Sequence, residues 1–190
     1  MVSFRANLIS TQYIAQKNSD DTYSSAPVSF VQLNKCSKDE AKVIRKTTDK
    51  WAYGDEWGKY IADSLLESAY NGTENSDSFF AITKQEDDLE HLKSEDILAL
   101  ALLSTSSSGE KCIDYAQVEP TYVSKLPEYV HGRKLASYKK IGTALFDGIE
   151  NLFKNISLSL FTFEKNLAYF ENRGYEVANK GAIYKMVLKR

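Results

Sequence analysis

The sequence predicts one α+β domain built on a single mixed, largely antiparallel, twisted sheet of six to seven strands with about four flanking helices. Apolar residues recur every second position in some segments and at helical spacing in others, which predicts both strands and helices along the chain. The 190 residues are enough for one proper core and too few for two ordinary ones. In chain order the segments read strand, two helices, three strands, a long loop, helix, strand, helix and two strands, an order that indicates mixed α+β packing around one sheet.

Composition excludes several classes of protein. Hydrophobic residues make up 43% of the chain and charged residues 26%, as is typical of a soluble globular protein. Lys and Arg total 24 against 26 acidic residues, so the net charge of -2 gives no general attraction to nucleic acid. The most apolar segment, residues 97–103, is far shorter than the roughly 20 residues of a membrane-spanning helix. Residues 1–15 lack a secretory leader. We therefore expect a cytoplasmic protein without nucleic-acid or membrane partners.

Cysteine and histidine are scarce. The chain contains Cys36 and Cys112, and its histidines are His91 and His131. Two thiols do not make a disulfide framework, and the spacing typical of metal-binding cysteines is absent. We expect no metal site.

The N-terminal third begins with a polar stretch. Residues 1–27 end in a Ser/Asp/Pro cluster and are expected to form a loosely ordered N-terminal arm outside a domain of residues 28–190. Residues 29–33 alternate between apolar and polar, which predicts a strand. Ser37 with Glu40 three residues later resembles a capping box and predicts a helix over residues 38–48. A second helix is predicted over residues 57–70.

The connection between these two helices is aromatic and acidic. It has two interpretations: a helix connection that packs its own aromatic rings, or the wall of a substrate site that holds an amine through cation–π and charge contacts. The residues concerned are Trp51, Tyr53, Glu56 and Trp57.

Three strands are predicted in the middle of the chain, over residues 78–83, 97–105 and 111–118, the first two joined by a charged connection. In the third strand strict alternation places Cys112, Asp114, Ala116 and Val118 on one face. After a loop over residues 119–137, helical spacing begins at Ile141. A strand over residues 156–161, a short helix over 167–172 and strands over 175–178 and 183–188 follow.

The start of the helix at Ile141 has the features of a phosphate site. The first turn of a helix leaves backbone N–H groups without partners and carries a partial positive charge, which suits an anion. Gly142 lets the backbone approach that anion closely. Lys139 and Lys140 add positive charge.

These motifs resemble the cofactor motif of the GNAT superfamily of N-acetyltransferases. In that motif a strand ends in Val-x-Pro, here residues 118–120, and after a loop Arg/Gln-x-x-Gly-x-Gly/Ala opens a helix, here residues 139–144. The ending around residues 168–177 and the closing strand also resemble the family. The resemblance runs from about Phe79 to the C-terminus, and from Ser29 by element order. It implies acetyl-CoA as the cofactor, held by Ala116, Gln117, Val118, Lys139, Lys140, Ile141, Gly142, Thr143 and Ala144.

The resemblance further implies direct transfer of an acetyl group to an amine of a small molecule or peptide. Asp114 is the first candidate for the base that takes the proton of the amine, with Glu119 and His131 as alternatives. A solvated or salt-bridged strand residue is the other interpretation of Asp114. Trp51, Tyr53, Glu56 and Trp57 are the implied walls of the acceptor site.

The sequence departs from the family pattern in three places. Lys139 stands where the family has Arg or Gln, and the loop over residues 121–137 is longer than usual. Phe170 occupies the position of the tyrosine that protonates the departing thiolate, which leaves the adjacent Tyr169 as the candidate acid. The alternative function is therefore an acyl-CoA-binding sensor or interaction module with little turnover, and a generic α+β binding domain is a third. A homodimer stays open.

Overall fold

A computed structural model describes residues 7–33, 38–51, 77–84, 93–122 and 137–189, with single positions at 60, 63, 64 and 67. Within these residues nine strands form one sheet, and three α-helices accompany it. The strands are β1 (Asn7–Lys17), β2 (Tyr23–Gln32), β3 (Ser78–Lys84), β4 (Ile97–Thr105), β5 (Lys111–Val118), β6 (Tyr138–Lys139), β7 (Leu158–Thr162), β8 (Tyr175–Asn179) and β9 (Tyr184–Leu188). The helices are α1 (Lys38–Trp51), α2 (Ile141–Leu152) and α3 (Leu167–Glu171).

The sheet has the strand order β6-β1-β2-β3-β4-β5-β7-β9-β8, and of its neighbouring pairs only β5 and β7 run parallel. The predicted mixed, largely antiparallel sheet is confirmed, although the described residues contain nine strands and three helices rather than six to seven and about four. Of the second predicted helix only residues 60, 63, 64 and 67 are described, and they are helical. No helix in the described part of the chain is both long and apolar enough to span a membrane.

The structure differs from the expected N-terminal arm. Residues 7–17 form β1, which pairs antiparallel with β2 along its whole length and contributes Ile14 to the core. Side-chain hydrogen bonds among Asn18, Asp20 and Thr22 close the turn between the two strands. Polar residues dominate β1 because it lies near the edge of the sheet, where most of its side chains face water. Its polarity therefore resembles that of a disordered arm.

The sheet is buried on both faces by two separate cores. Phe30 and Phe80 pack with residues of α2 on one face, whereas their chain neighbours Val31 and Phe79 pack with residues of α1 on the other. Successive side chains of a strand point to opposite faces, so a strand covered on both sides is apolar at nearly every position. This explains the uninterrupted apolar runs of β3 and β4.

Gly148 marks the closest approach of α2 to the sheet. A Cβ built at this position would lie 2.7 Å from Cγ of Phe30, which is shorter than a van der Waals contact between two carbon atoms. The helix preference for alanine over glycine favours Gly148→Ala by up to about 1 kcal/mol, but overpacking costs about 1–3 kcal/mol. We expect the overpacking to win, with a net loss of about 1–2 kcal/mol in the free energy of unfolding. Urea titration measures it, and a gain in stability would show that the helix can move away from Phe30.

Candidate functional site

The site is a gap in the sheet where β5 and β7 separate. They pair at three positions, from Lys111 with Leu158 to Ile113 with Leu160. Beyond Ile113, β5 continues along β4 and β7 continues along β9. A cavity of about 690 Å³ occupies the gap. The described residues that line it are Ile113, Asp114, Tyr115, Ala116, Phe146, Leu160, Phe161, Thr162, Phe163, Asn166, Phe170 and Ile183.

A β-bulge at Asp114 sets the direction of the side chains along β5. Leu102 pairs with Tyr115 and Leu103 with Ile113, so Asp114 is an extra residue in the ladder. Ile113 and Val118 consequently pack on the same core, while Tyr115 packs on the other. The predicted strict alternation, which placed Cys112, Asp114, Ala116 and Val118 on one face, is wrong for this reason.

Asp114 lies on the cavity wall and is exposed. One of its carboxylate oxygens accepts a hydrogen bond of 3.0 Å from the backbone N–H of Ser104. Burial raises the pKa of the nearby Asp77, and the negative charge of Asp114 raises it further. The bulge therefore turns an anchored carboxylate to the gap, where it can accept a proton or hold a cationic group.

Cys112 lies at the closed end of the gap. Burial raises the pKa of its thiol, an effect that its hydrogen bond with Ser159 offsets only in part. A raised pKa keeps the thiol protonated and weakly nucleophilic at neutral pH. Cys112 is therefore suited to packing rather than to covalent catalysis.

The side of β5 that faces the gap presents main-chain groups that do not pair with β4. The N–H of Glu119 donates to the carbonyl of Leu98 at 2.9 Å, which directs this residue towards β4. Main-chain groups alternate in direction along a strand, so those of Ala116 and Val118 point away from β4 and towards the gap. An extended chain with amide groups could pair with this edge as an added strand would.

The open edge of β5 ends at the N-terminus of α2. A Cβ built at Gly142 would lie 3.4 Å from Cγ2 of Val118, so the strand end and the first helical turn are in contact. The cap residue Lys140 has a left-handed backbone (φ 65°) and makes no side-chain capping bond. The first intrahelical bond runs from the N–H of Ala144 to the carbonyl of Lys140. The N–H groups of residues 141–143 have no intrahelical partner, and N–H groups in this arrangement beside a left-handed residue can bind an anion.

The side chain of Lys139 points away from the start of α2. It pairs with Ala15 of β1, whose neighbour Ile14 points into the core on the α2 face. Alternation therefore sends the side chain of Lys139 to the opposite face, where its ammonium lies 3.9 Å from the ring centroid of Tyr23. Of the predicted cofactor residues, the structure brings together residues 116–118 and 140–144, with Ile141 and Ala144 buried in the core. It does not bring Lys139 to them.

The two candidates on α3 lie in different environments. Phe170 is 8% exposed, lines the cavity, and packs edge-on against Phe146 at 5.2 Å between ring centroids. Tyr169 is 40% exposed and is not among the described residues that line the cavity. The hydroxyl groups on the described wall belong to Tyr115, which donates to the side chain of Gln117, and to Thr162.

Of the predicted acceptor residues, Trp51 is buried in the core on the α1 face, and Tyr53, Glu56 and Trp57 lie outside the described residues. The sequence did not point to half of the described wall, namely Phe146, Phe161, Thr162, Phe163, Asn166 and Ile183. One signal was available: Phe161 occupies a polar position in the alternation of its strand. Among the described residues no three His, Cys, Asp or Glu side chains lie close enough to hold a metal ion.

No family model matches the chain, and no curated protein sequence matches it. Solved structures do match its fold. A protein from Desulfovibrio desulfuricans assigned to the GNAT family of acetyltransferases has a TM-score of 0.55 at 14% identity, over 84% of this chain and 96% of that one. A chimera of the Vibrio cholerae spermidine N-acetyltransferase SpeG and hSSAT has a TM-score of 0.52 at 12% identity, over 84% and 94%. The chain therefore has the fold of the GNAT acetyltransferase superfamily.

Proposed function

We propose that this protein is an N-acetyltransferase that transfers an acetyl group from acetyl-CoA to an amine of a small molecule or peptide. The observation that carries the proposal is the opening of the sheet between β5 and β7 after Ile113, next to the N-terminus of α2. A strand edge that turns away from β4, a set of N–H groups without intrahelical partners and a cavity are thus neighbours in the structure. The similarity to GNAT structures supports the same function.

The residues of this line fit the parts of acetyl-CoA. The main-chain groups of Ala116 and Val118 would pair with the amides of the pantetheine arm, since both are directed to the gap. The N–H groups of residues 141–143 would hold the pyrophosphate, assisted by the exposed Lys140. Bound acetyl-CoA supplies a thioester whose C–S bond breaks as the amine nitrogen bonds to the acetyl carbon.

Asp114 is the residue that we propose as the base. An ammonium group must lose a proton before its nitrogen can attack, and the acceptor of that proton must lie within hydrogen-bond reach of it. Asp114 lines the gap, and the hydrogen bond from Ser104 holds its carboxylate in place. Its remaining lone pairs are available to receive the proton.

Calorimetric titration with acetyl-CoA, followed by measurement of free CoA released across a panel of amines, tests the function. We expect binding and amine-dependent release. Failure to bind at millimolar acetyl-CoA would refute any function at this site that needs CoA. Binding without amine-dependent release would refute the transferase and leave a binding protein.

The second candidate is an acyl-CoA-binding sensor or interaction module with little turnover. Phe170 favours it, because a phenyl ring without a hydroxyl occupies the part of the cavity wall that α3 contributes. A thiolate that leaves without a proton donor is a poor leaving group, which would slow transfer but not binding.

Tyr169→Phe tests whether the exposed tyrosine supplies this proton. We expect kcat to stay within about twofold of the unchanged protein, because an acid must lie within hydrogen-bond reach of the reacting group and Tyr169 is not part of the described wall. Steady-state kinetics over a range of pH measure it. A drop of about 100-fold or more, the range for loss of a general acid, would instead assign Tyr169 that role.

A further inference from the structure

The rim of the cavity exposes three large apolar side chains on one side. Phe161 is 53% exposed, Phe163 56% and Ile183 50%. Phe161 follows Leu160, which points into the core on the α2 face, so the ring of Phe161 projects from the face that α1 covers elsewhere. Large apolar groups that converge in this way around a cavity are typical of a ligand surface.

The two sides of the gap thus differ in character. Towards α2 the wall is made of buried rings and aliphatic side chains, including Phe146, Phe170 and Leu160, beside the end of β5 that leads to the helix. On the other side lie Phe161 and Asp114. A cofactor held along β5 and at α2 would leave this second side for the acceptor.

The charge of the cavity wall limits the number of positive charges that the acceptor can carry. Asp114 is the one charged side chain among the described residues that line the cavity. Within this described wall a single carboxylate can pair with one ammonium group, while a second positive charge on the same molecule would face the apolar side chains there. Burial of an unpaired charge among apolar groups is strongly unfavourable.

We propose that the acceptor is a monoamine that carries an aromatic or large aliphatic group, bound with its nitrogen at Asp114 and its apolar body against Phe161, Phe163 and Ile183. This inference rests on the proposed function, since it assigns the acceptor side of the same site. It predicts discrimination against short amines, which cannot cover the three side chains, and against polyamines, which bring unpaired charges.

Three monoamines of equal charge but different apolar surface test the proposal, with spermidine as a more highly charged comparison. The acetyl-CoA-loaded protein is titrated with 2-phenylethylamine, n-hexylamine, ethylamine and spermidine, and kcat/KM is measured for each. We expect the two larger monoamines to exceed ethylamine by at least about tenfold in affinity and kcat/KM, the effect of partly burying one large apolar group. Equal values for ethylamine, or a preference for spermidine, would overturn the proposal even if acetyl transfer itself is observed.

Variants of the rim residues distinguish this proposal from the proposed function on which it rests. Phe161→Ala and Phe163→Ala are each expected to lower kcat/KM for 2-phenylethylamine about fivefold or more and to leave the Kd of acetyl-CoA unchanged. Leu8→Ala, an equally exposed apolar residue on β1, serves as the control and should change neither. Titration with the amines alone decides the outcome where acetyl-CoA does not bind: equal affinity for 2-phenylethylamine and ethylamine then overturns the inference too. If the variants instead alter the preference between acetyl-CoA and octanoyl-CoA, the rim holds the acyl chain and the proposal is wrong.

Discussion

Gly142→Glu is expected to weaken acetyl-CoA binding by about 100-fold or more. The side chain would place a carboxylate at the second residue of α2, beside N–H groups that we propose for the pyrophosphate. Like charges about 4 Å apart repel by up to about 4 kcal/mol in a partly solvated site, so a 100-fold loss, about 2.7 kcal/mol, is a moderate figure. Calorimetric titration with acetyl-CoA measures the loss.

The fold should survive this change, which makes the experiment informative. A glutamate in the first turn interacts favourably with the helix dipole, by about 0.3–1 kcal/mol, so the free energy of unfolding should be unchanged or slightly higher. Gly142→Ala is the matched control, because a Cβ here would make an ordinary contact of 3.4 Å with Val118. We expect it to retain binding within about threefold, since the N–H groups stay in place. Unchanged affinity in a folded Gly142→Glu protein would contradict the pyrophosphate position.

Local periodicity was enough to predict the elements that surround the site. Helical spacing from Ile141 predicts α2, which begins at that residue. The short helix predicted over residues 167–172 corresponds to α3, and Gly174, with a positive φ, ends the turn that follows it. Strands β3 and β4 could likewise be predicted from their apolar runs, because strands covered on both faces contain few polar positions. Elements whose pattern arises from burial can be predicted in this way.

The pattern of β1 could not be interpreted from the sequence. An edge strand that buries little besides Ile14 shows almost no apolar periodicity, so its polar composition is equally typical of an arm. Only its pairing with β2 along its whole length distinguishes the two. The short strand β6 could not be predicted for a similar reason. Its two residues are too few to show a periodic pattern, and the strand depends on pairing with β1.

The direction of side chains in the site depends on features that a single sequence conceals. The bulge at Asp114 changes which residues of β5 share a face, and nothing in the residue types marks it. Lys139 sits next to the helix start in the chain, yet its pairing with β1 turns it towards Tyr23. The motif therefore predicts where the helix starts, but not which charged side chains lie beside that start.

Arg173→Met is expected to lower the free energy of unfolding by about 2–3 kcal/mol. The guanidinium, with its side chain only 12% exposed, donates to Glu150 at 2.6 and 2.9 Å and to Asp147 at 2.6 Å. Burial alone would lower the pKa of Arg173, but the hydrogen bonds to these carboxylates raise it overall, so the group stays charged. Methionine keeps the apolar stem and removes the bonds. Thermal unfolding should shift down by about 5–10 °C.

Lys189→Met is the matched control, because the ion pair of Lys189 with Glu176 is exposed on both sides. Exposed pairs contribute about 0–1 kcal/mol, so this variant should unfold within about 4 °C of the unchanged protein. Equal shifts in unfolding temperature for the two variants would show that the bonds of Arg173 stabilise the fold no more than those of a solvated pair.

The same arginine joins the two helices that form the inner wall of the cavity. Its guanidinium lies 5.6 Å from the ring centroid of Phe146 on α2, and Arg173 follows α3, which carries Phe170. Removal of Arg173 leaves Glu150 partly buried without this partner, so adding Glu150→Gln should recover part of the lost stability. A double-mutant cycle should then give a coupling of about 1–2 kcal/mol. If the two losses simply add, the bond between Arg173 and Glu150 has no part in positioning that wall.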